Sequence, residues 1–500
     1  MKTVIPQQNP VKRTNTKGIS DVGNGPPSRD IVSRPIASPG HWLCMLLPLA
    51  FASNLLQNNR CNEEITTQFT LTIAAIGMCV ESLCFFLYMF YKTSLLLKLV
   101  VAFVPGLFTT LLYKVLLQLS WSYGLFLGFV TTFCYQNTYI RVMRGFPGSF
   151  SLGEAAVLVQ GLMLFLFNTM LKVPNIVNAT KVRSDFEQLN VIMMCALSYL
   201  FAVCWLLAVA NVFRMKIYFY ILMLLLAIGV TCTPITKPIP IIALLKFIRK
   251  DEVRIKIIMF YVALVALTVV IVWWRTQSQG KASTRVRKLF HLLIVIVYVP
   301  GLLYQCDFLY IASGVALALI TFFELVRICN IPPLDVHLRN AFASFSDEKD
   351  AGVFALTPFC LLIGCSLPLW ISPCPCYQDN TSSYTNRIVP LFSGILTIGF
   401  GDTAASVIGS KFGRIKWSII YKCIKFITDS KKSLEGTLAF VLATLSSILC
   451  LNCFGFTNLT LFKSFVIAVA TIATALVEAN TDQIDNLTLP IIFYTIVNII

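Results

Sequence analysis

Apolar runs about as long as a bilayer-spanning helix, ~17–25 residues, recur along this chain from His41 to its last residue, divided by short polar or basic connectors. Sliding-window hydropathy marks roughly fifteen of them, the first at His41 to Leu56 and the last at Leu487 to Ile500. The pattern predicts an all-α polytopic integral membrane protein with roughly 15 transmembrane helices. Ahead of the first run, residues 1–40 are polar, Pro-rich and basic, which predicts a disordered cytosolic arm. That arm is too long to be the charged region of a cleavable signal peptide. Residues 41–274 form an N-terminal transmembrane region whose role the pattern leaves open, and residues 275–500 a C-terminal one that carries the unusual polar groups.

Composition agrees with the pattern. At 57% hydrophobic and 13% charged residues, no soluble globular fold could hide the apolar surface. The formal net charge of +17 sits mainly in the arm and the loops, where it sets orientation and attracts anionic lipids or phosphates. No basic, aromatic-interleaved soluble segment is present to hold nucleic acid. Most of the 17 cysteines lie inside apolar runs, where they act as small hydrophobes. Cys61, Cys306, Cys374 and Cys376 fall in or near loops, and their spacing is not that of a zinc site.

Loop charge orients the chain. The connector Arg275 to Lys288 and the richer one from Lys411 to Lys432 are separated by an even number of runs, so both can be cytosolic. The glycosylation sequons at Asn178, Asn380 and Asn458 then fall on the opposite side. Lys246, Arg249, Lys250, Arg254 and Lys256 disagree, because they would be lumenal; a re-entrant Pro234 to Ile248 would account for them.

Ile398 to Thr437 holds the densest chemistry. A run able to span the bilayer carries Asp402, then emerges into a loop with Lys411, Arg414, Lys416, Lys422, Lys425, Lys431 and Lys432. On a helix Asp402, Ala405 and Gly409 share one small-sided face, which lets a backbone or a ligand approach. Asp429 or Ser430 can cap a following helix, with Lys431 and Glu435 one turn apart and free N–H groups facing the loop. Other run ends bring further groups to the same side: Lys288 and His291; Glu324 and Arg327; Asp347, Glu348 and Asp350; and Glu478, Asp482, Asp485 and Asn486. Ionisable groups at span ends are costly without partners or a ligand. Glu478, Asp482 and Asp485 share a helical face suited to Mg²⁺, although Asp485 or Asn486 could equally cap the last helix. His291 taken alone reads as an interfacial histidine. No Walker A loop, kinase catalytic loop, H-E-x-x-H or G-x-S-x-G occurs. Phosphoryl transfer nevertheless needs only a metal, cations and one proton acceptor.

At these residues the chain resembles the CTP-dependent polyprenol kinases. The resemblance rests on R-K-L-F-H from Arg287, F-E-L-V-R-I-C-N-I-P-P-L from Phe323, and D-E-K-D-A-G from Asp347. It continues through F-G-D-T-A-A-S-V-I-G-S-K-F-G-R-I-K-W from Phe400, K-K-S-L-E-G-T from Lys431 and E-A-N-T-D-Q-I-D-N-L-T-L-P from Glu478. It implies a multi-pass endoplasmic reticulum enzyme, active on the cytosolic face, that moves the γ-phosphoryl group of CTP to dolichol in the bilayer for glycosylation and GPI-anchor assembly. It places CTP on the loop of about residues 409–436, with Gly409, Ser410, Lys411, Gly413, Arg414, Lys416, Lys431, Lys432 and Gly436 as contacts. The chain departs from the family pattern at Ser418 to Asp429, an insertion containing I-I-Y-K-C-I-K-F-I.

Read together, these residues predict Asp402 with Asp482 or Asp485 on Mg²⁺, and Lys431 and Lys432 on phosphate oxygens oriented by Glu435. Asp402 or Asp485 is expected to accept the hydroxyl proton, with His291 behind them. The alternatives are a kinase or cytidylyltransferase for another lipid, such as diacylglycerol or phytol, and, from a different class, a secondary transporter, for which Glu81 is the clearest mid-span charge.

Overall fold

In a computed structural model, the described residues are 31–35, 37–56, 65–91, 95–177, 184–231, 240–277, 284–346, 348–350, 352–373, 376, 387–419 and 432–499. The fold they form is all-α, with an isolated bridge between Lys416 and Ser433 as its extended pairing. The helices are α1 (Leu46–Leu56, entered through a 3₁₀ turn), α2 (Ile65–Tyr91), α3 (Leu95–Leu117), α4 (Trp121–Gly145), α5 (Leu152–Val177) and α6 (Asp185–Val209). There follow α7 (Lys216–Thr231), α8 (Pro240–Arg249), α9 (Glu252–Gln277), α10 (Thr284–Tyr304), α11 (Cys306–Ile328), α12 (Asp335–Phe345) and α13 (Leu356–Ile371). A π-helical segment, Ile395–Asp402, runs directly into α14 (Thr403–Phe412), and α15 (Leu434–Cys453), α16 (Leu461–Asn480) and α17 (Asp485–Val497) close the chain.

Every apolar run expected to span the bilayer coincides with helix. Among the described residues, eight helices are long and apolar enough to cross a membrane, and five apolar ones are shorter. The protein is a multi-pass membrane protein. The stretch suspected of re-entrance contributes the ten-residue α8, and its first six residues lie outside the described ones.

Two bundles, each with its own core, share two helices. Residues of α1, α2, α4 and α5 pack around Ala74, Met78, Tyr139 and Ala156, and residues of α10, the π segment, α15 and α16 pack around Tyr298, Leu396, Ile448 and Ala470. Helices α13 and α17 belong to both, because each is apolar on all sides, as a helix buried between two bundles must be. On α17, Leu487, Ile491 and Tyr494 face the first bundle while Phe493 and Val497 face the second. On α13, Cys360 and Leu367 face the first, and Leu361, Cys365 and Leu369 the second. Gly364 allows the two central helices to touch: a Cβ there would lie 1.8 Å from the carbonyl oxygen of Asn486.

The bundle has two chemically distinct ends. At one, Cys306 and Cys376 form a disulfide, Asp185 pairs with Lys246 and Lys250, and Arg254 bonds Gln305. The basic cluster that disagrees with the loop-charge rule therefore lies beside the disulfide, with acids of its own. Polar groups at the ends of α10, α11, α16 and α17 meet at the other.

Candidate active site

Asp402 is the last residue of the π-helical segment. Such segments widen a helix by one residue per turn and frequently mark functional positions. Close packing surrounds it. A side chain at Gly401 would run into the Phe440 ring and one at Gly399 into Val295. Asp402 is 7% exposed, and its carboxylate is bonded by Lys288 Nζ and faces His291 Nε2 at 3.5 Å. Lys288 and His291, three residues apart on α10, thus reach one oxygen, Oδ2.

Two more acids complete the cluster. Ligand oxygens of Asp402, Glu478 and Asp485 lie within 4.8 Å of one another. Like charges so close require cations between them, and two further lysines supply these. Lys432 Nζ donates to the Glu478 carboxylate at 2.5 Å and to its backbone carbonyl at 2.6 Å, and lies 3.7 Å from Asp485. Lys349 Nζ donates to Asp485 at 2.6 Å and to the Gln483 carbonyl at 2.9 Å. Burial pushes the Lys432 ammonium down, but Asp485 and Glu478 more than reverse that and hold it above the ordinary lysine value. Three carboxylates offer hard oxygen donors, which is the donor set a Mg²⁺ ion takes.

Glu478 stands where Asp482 was expected among the metal ligands. The helical face proposed for Glu478, Asp482 and Asp485 does not form, because α16 ends at Asn480 and α17 begins only at Asp485. Asp482 instead accepts from the Ser38 amide at 2.5 Å and the Ser38 hydroxyl at 2.7 Å. Burial raises its carboxyl and these hydrogen bonds more than offset the rise, leaving it below the usual carboxylate range.

The loop residues divide. Ser433, not Asp429 or Ser430, caps α15 by accepting from the Gly436 amide at 3.2 Å. The small-sided face of Asp402, Ala405 and Gly409 receives a backbone: Gly436 sits against the Ala405 carbonyl and Gly409 Cα. A side chain at Gly413 would run into Ser433 and the Gly409 carbonyl. Glu435 does not face the lysines; its carboxylate accepts from the amides of Arg414 at 3.0 Å and Ile415 at 3.1 Å, fixing the loop's backbone. Ser410 bonds the Val407 carbonyl of its own helix, and Lys411, Arg414 and Lys416 are exposed around the rim. Lys431 lies outside the described residues, as does most of the insertion. Its two flanks are joined, since Trp417 N donates to Lys432 O at 3.0 Å and Leu434 N to Ile415 O at 2.8 Å.

Sequence reasoning did not single out Lys349, hidden in an acidic stretch, or the bracing of the 482–485 segment by distant residues. Arg34, from the stretch composition assigned to a disordered arm, is buried and pairs with fully buried Glu154 at 2.6 Å. Glu154 also accepts from the Ile484 amide at 2.9 Å and the Ser151 amide at 3.0 Å. Ser151 and Ser38 both bond the Gln483 side chain. The described residues before Gly40 are therefore ordered against the cluster.

Several known proteins are similar to this chain. The family model described as dolichol kinase matches residues 126–360, a stretch that includes Lys288, His291 and Lys349. A human dolichol kinase is 32% identical over 357 residues, covering 69% of this chain and 64% of the relative. The dolichol kinase of Arabidopsis thaliana is 30% identical over 51% of this chain and 42% of its own length, and that of Saccharomyces cerevisiae 27% identical over 50% and 43%. This chain thus spans less than two thirds of these relatives' lengths. No solved structure matches. By these matches the chain is similar to the dolichol kinases over as much as 69% of its length.

Proposed function

We propose that this protein is a CTP-dependent dolichol kinase, transferring the γ-phosphoryl group to the terminal hydroxyl of dolichol at the cytosolic face of the endoplasmic reticulum membrane. The observation that carries the reading is the convergence of Asp402, Glu478 and Asp485 with Lys288, Lys349 and Lys432, from helix ends far apart in sequence. The names of the relatives support the substrate and the reaction type. CTP as donor follows from the family resemblance.

The three acids would hold a divalent ion, which supplies neutralisation of phosphate charge when bound. Lys432 and Lys349 are placed to exchange their carboxylate contacts for phosphate oxygens, and the exposed Lys411, Arg414 and Lys416 line the approach of a nucleotide. Both hydrogen-bond partners of Asp402 bear on Oδ2, so its Oδ1 is the oxygen we assign to accept the hydroxyl proton. His291 orients that carboxylate, and Glu435 shapes the loop without touching the reacting atoms.

Orientation is supported from the opposite end. A disulfide belongs to an oxidising compartment, and Cys306–Cys376 and the Asn458 sequon, in the α15–α16 turn, lie away from the cluster. The cluster would then face the cytosol.

Purified protein in detergent with dolichol and γ-labelled or α-labelled CTP tests the reading. Label should appear in dolichyl phosphate from the γ position only. Transfer from the α position would make it a cytidylyltransferase, and absence of transfer from either would refute both.

A further inference from the structure

A cavity of about 1840 Å³ lies between the two halves of the molecule, walled mainly by α5, α6, α11 and α13. Drug-sized ligands occupy only about 300–1,000 Å³, so this space suits something larger. Its depth can be read along α11, where Asp307, Tyr310, Gly314, Leu317, Thr321 and Glu324 line it at successive turns and Ile328 closes the row. From Asp307 to Ile328 that wall is ~30 Å long at ~1.5 Å per residue, which is the thickness of a bilayer's hydrocarbon layer.

The wall chemistry changes along that depth. In the middle it is apolar, with Leu164, Phe165, Leu197 and Phe201 facing Ile363 and Leu367. Lys172, Asp185, Arg254 and Asp307 line the disulfide end. At the cluster end are Arg141, Arg144, Arg214 and Glu324, beside Phe150 and Phe354. An interior that is polar at both ends and apolar between them has the profile of a lipid lying along the bilayer normal.

None of the six cluster residues lines the cavity, but near neighbours of two of them in sequence do. Leu487 lines it two residues after Asp485 on α17, and Val353 lines it four residues after Lys349. A lipid whose tail fills the apolar middle would bring its polar end toward those acids and lysines.

We propose that this cavity is the receptacle for the first isoprene units of a polyprenol, so that the N-terminal half, through α5 and α6, supplies half of the lipid-substrate site. The inference rests on the kinase reading above and locates the tail inside the protein instead of in surrounding lipid. Any longer remainder of the chain passes out between helices.

The test uses the full-length protein and a polyprenol carrying a photoactivatable group in the third or fourth isoprene unit from the hydroxyl, beyond the length of a two-unit alcohol. Peptide mapping should find it attached to α6 and α11 near Leu197 and Leu317. Attachment confined to α3 and α9, whose apolar side chains face outward, would overturn the proposal. In parallel, Leu197→Trp and Leu317→Trp should raise the KM for dolichol about tenfold, as loss of roughly two buried methylene contacts would. Turnover of citronellol, a short terpenol with a saturated α unit, should change by less than about twofold, which also reports folding. Equal loss for both alcohols in both variants overturns the proposal. If the unmodified protein phosphorylates neither alcohol yet attachment still maps to α6 and α11, the lipid site stands and the kinase reading falls.

Discussion

Asp402, Glu478 and Asp485 approach one another closely only because Lys288, Lys349 and Lys432 stand among them. Removing one carboxylate should therefore weaken the site's hold on a divalent ion without emptying it of charge. Asp402→Asn, Glu478→Gln and Asp485→Asn are each expected to lower kcat about 10²–10³-fold, with the Mg²⁺ concentration for half-activity rising in all three. Asp482→Asn is the informative control. Its carboxylate serves Ser38, and one such hydrogen bond is worth about 1 kcal/mol, so kcat should stay within about fivefold. A loss comparable with that of Asp485→Asn would return Asp482 to the ligand set. Lys432 gives a pH expectation. Its folded value is raised, so its contacts are complete below the ordinary lysine value of about 10.4 and are lost only as pH rises through the higher folded one. Any alkaline fall in activity centred below about pH 10 should thus be shared by wild type and Lys432→Arg. A basic limb that moves with the substitution would show that Lys432 titrates earlier.

At the scale of elements, the apolar runs were legible because a helix in lipid is specified by length and hydropathy alone. Where a helix starts or breaks depends on local partners, which hydropathy does not report. Composition suggested Asp429 or Ser430 as the cap of α15, but the bridge from Lys416 to Ser433 delays the helix until Leu434. The supposed shared face of Glu478 and Asp482 failed for a similar reason, since the 481–484 segment is drawn out by Glu154 and Ser38. Asp402, Glu478 and Asp485 could be noticed singly as acids at run ends; their meeting depends on how α10, α16 and α17 pack. The insertion illustrates what an element-level constraint permits. Its flanks are tied by Trp417 to Lys432 and by Ile415 to Leu434, and Glu435 secures the same neck. Replacing residues 420–430 with a short Gly/Ser linker should leave kcat within about threefold, because a change of length between two tied ends costs little closure entropy. Glu435→Gln, in contrast, should raise the KM for CTP several-fold while leaving that for dolichol unchanged. Steady-state kinetics with each substrate varied distinguishes the two outcomes.

On the scale of the whole molecule, the division at residue 274 separates two regions by sequence pattern but not by packing. Helices α13 and α17 carry core residues of both bundles, and the buried pair Arg34–Glu154 ties the start of the described chain to the linker that positions Asp485. Glu154 is fully buried, and removing the partner of a buried ion pair leaves an uncompensated charge, at a cost of about 3–5 kcal/mol. Deletion of residues 1–30 removes none of these contacts and should leave activity and thermal stability intact. Deletion of residues 1–40 removes Arg34 and Ser38 together, so the Thr481–Asp485 linker loses two of its braces. That variant should insert into membranes, since the apolar runs are untouched, yet lose most of its turnover. Arg34→Met should reproduce much of the defect, and the double variant Arg34→Met/Glu154→Leu should recover part of it by removing the stranded charge. Thermal unfolding in detergent alongside γ-label transfer provides the check. Equal behaviour of the two truncations would mean that the described part of the arm adds nothing to the site.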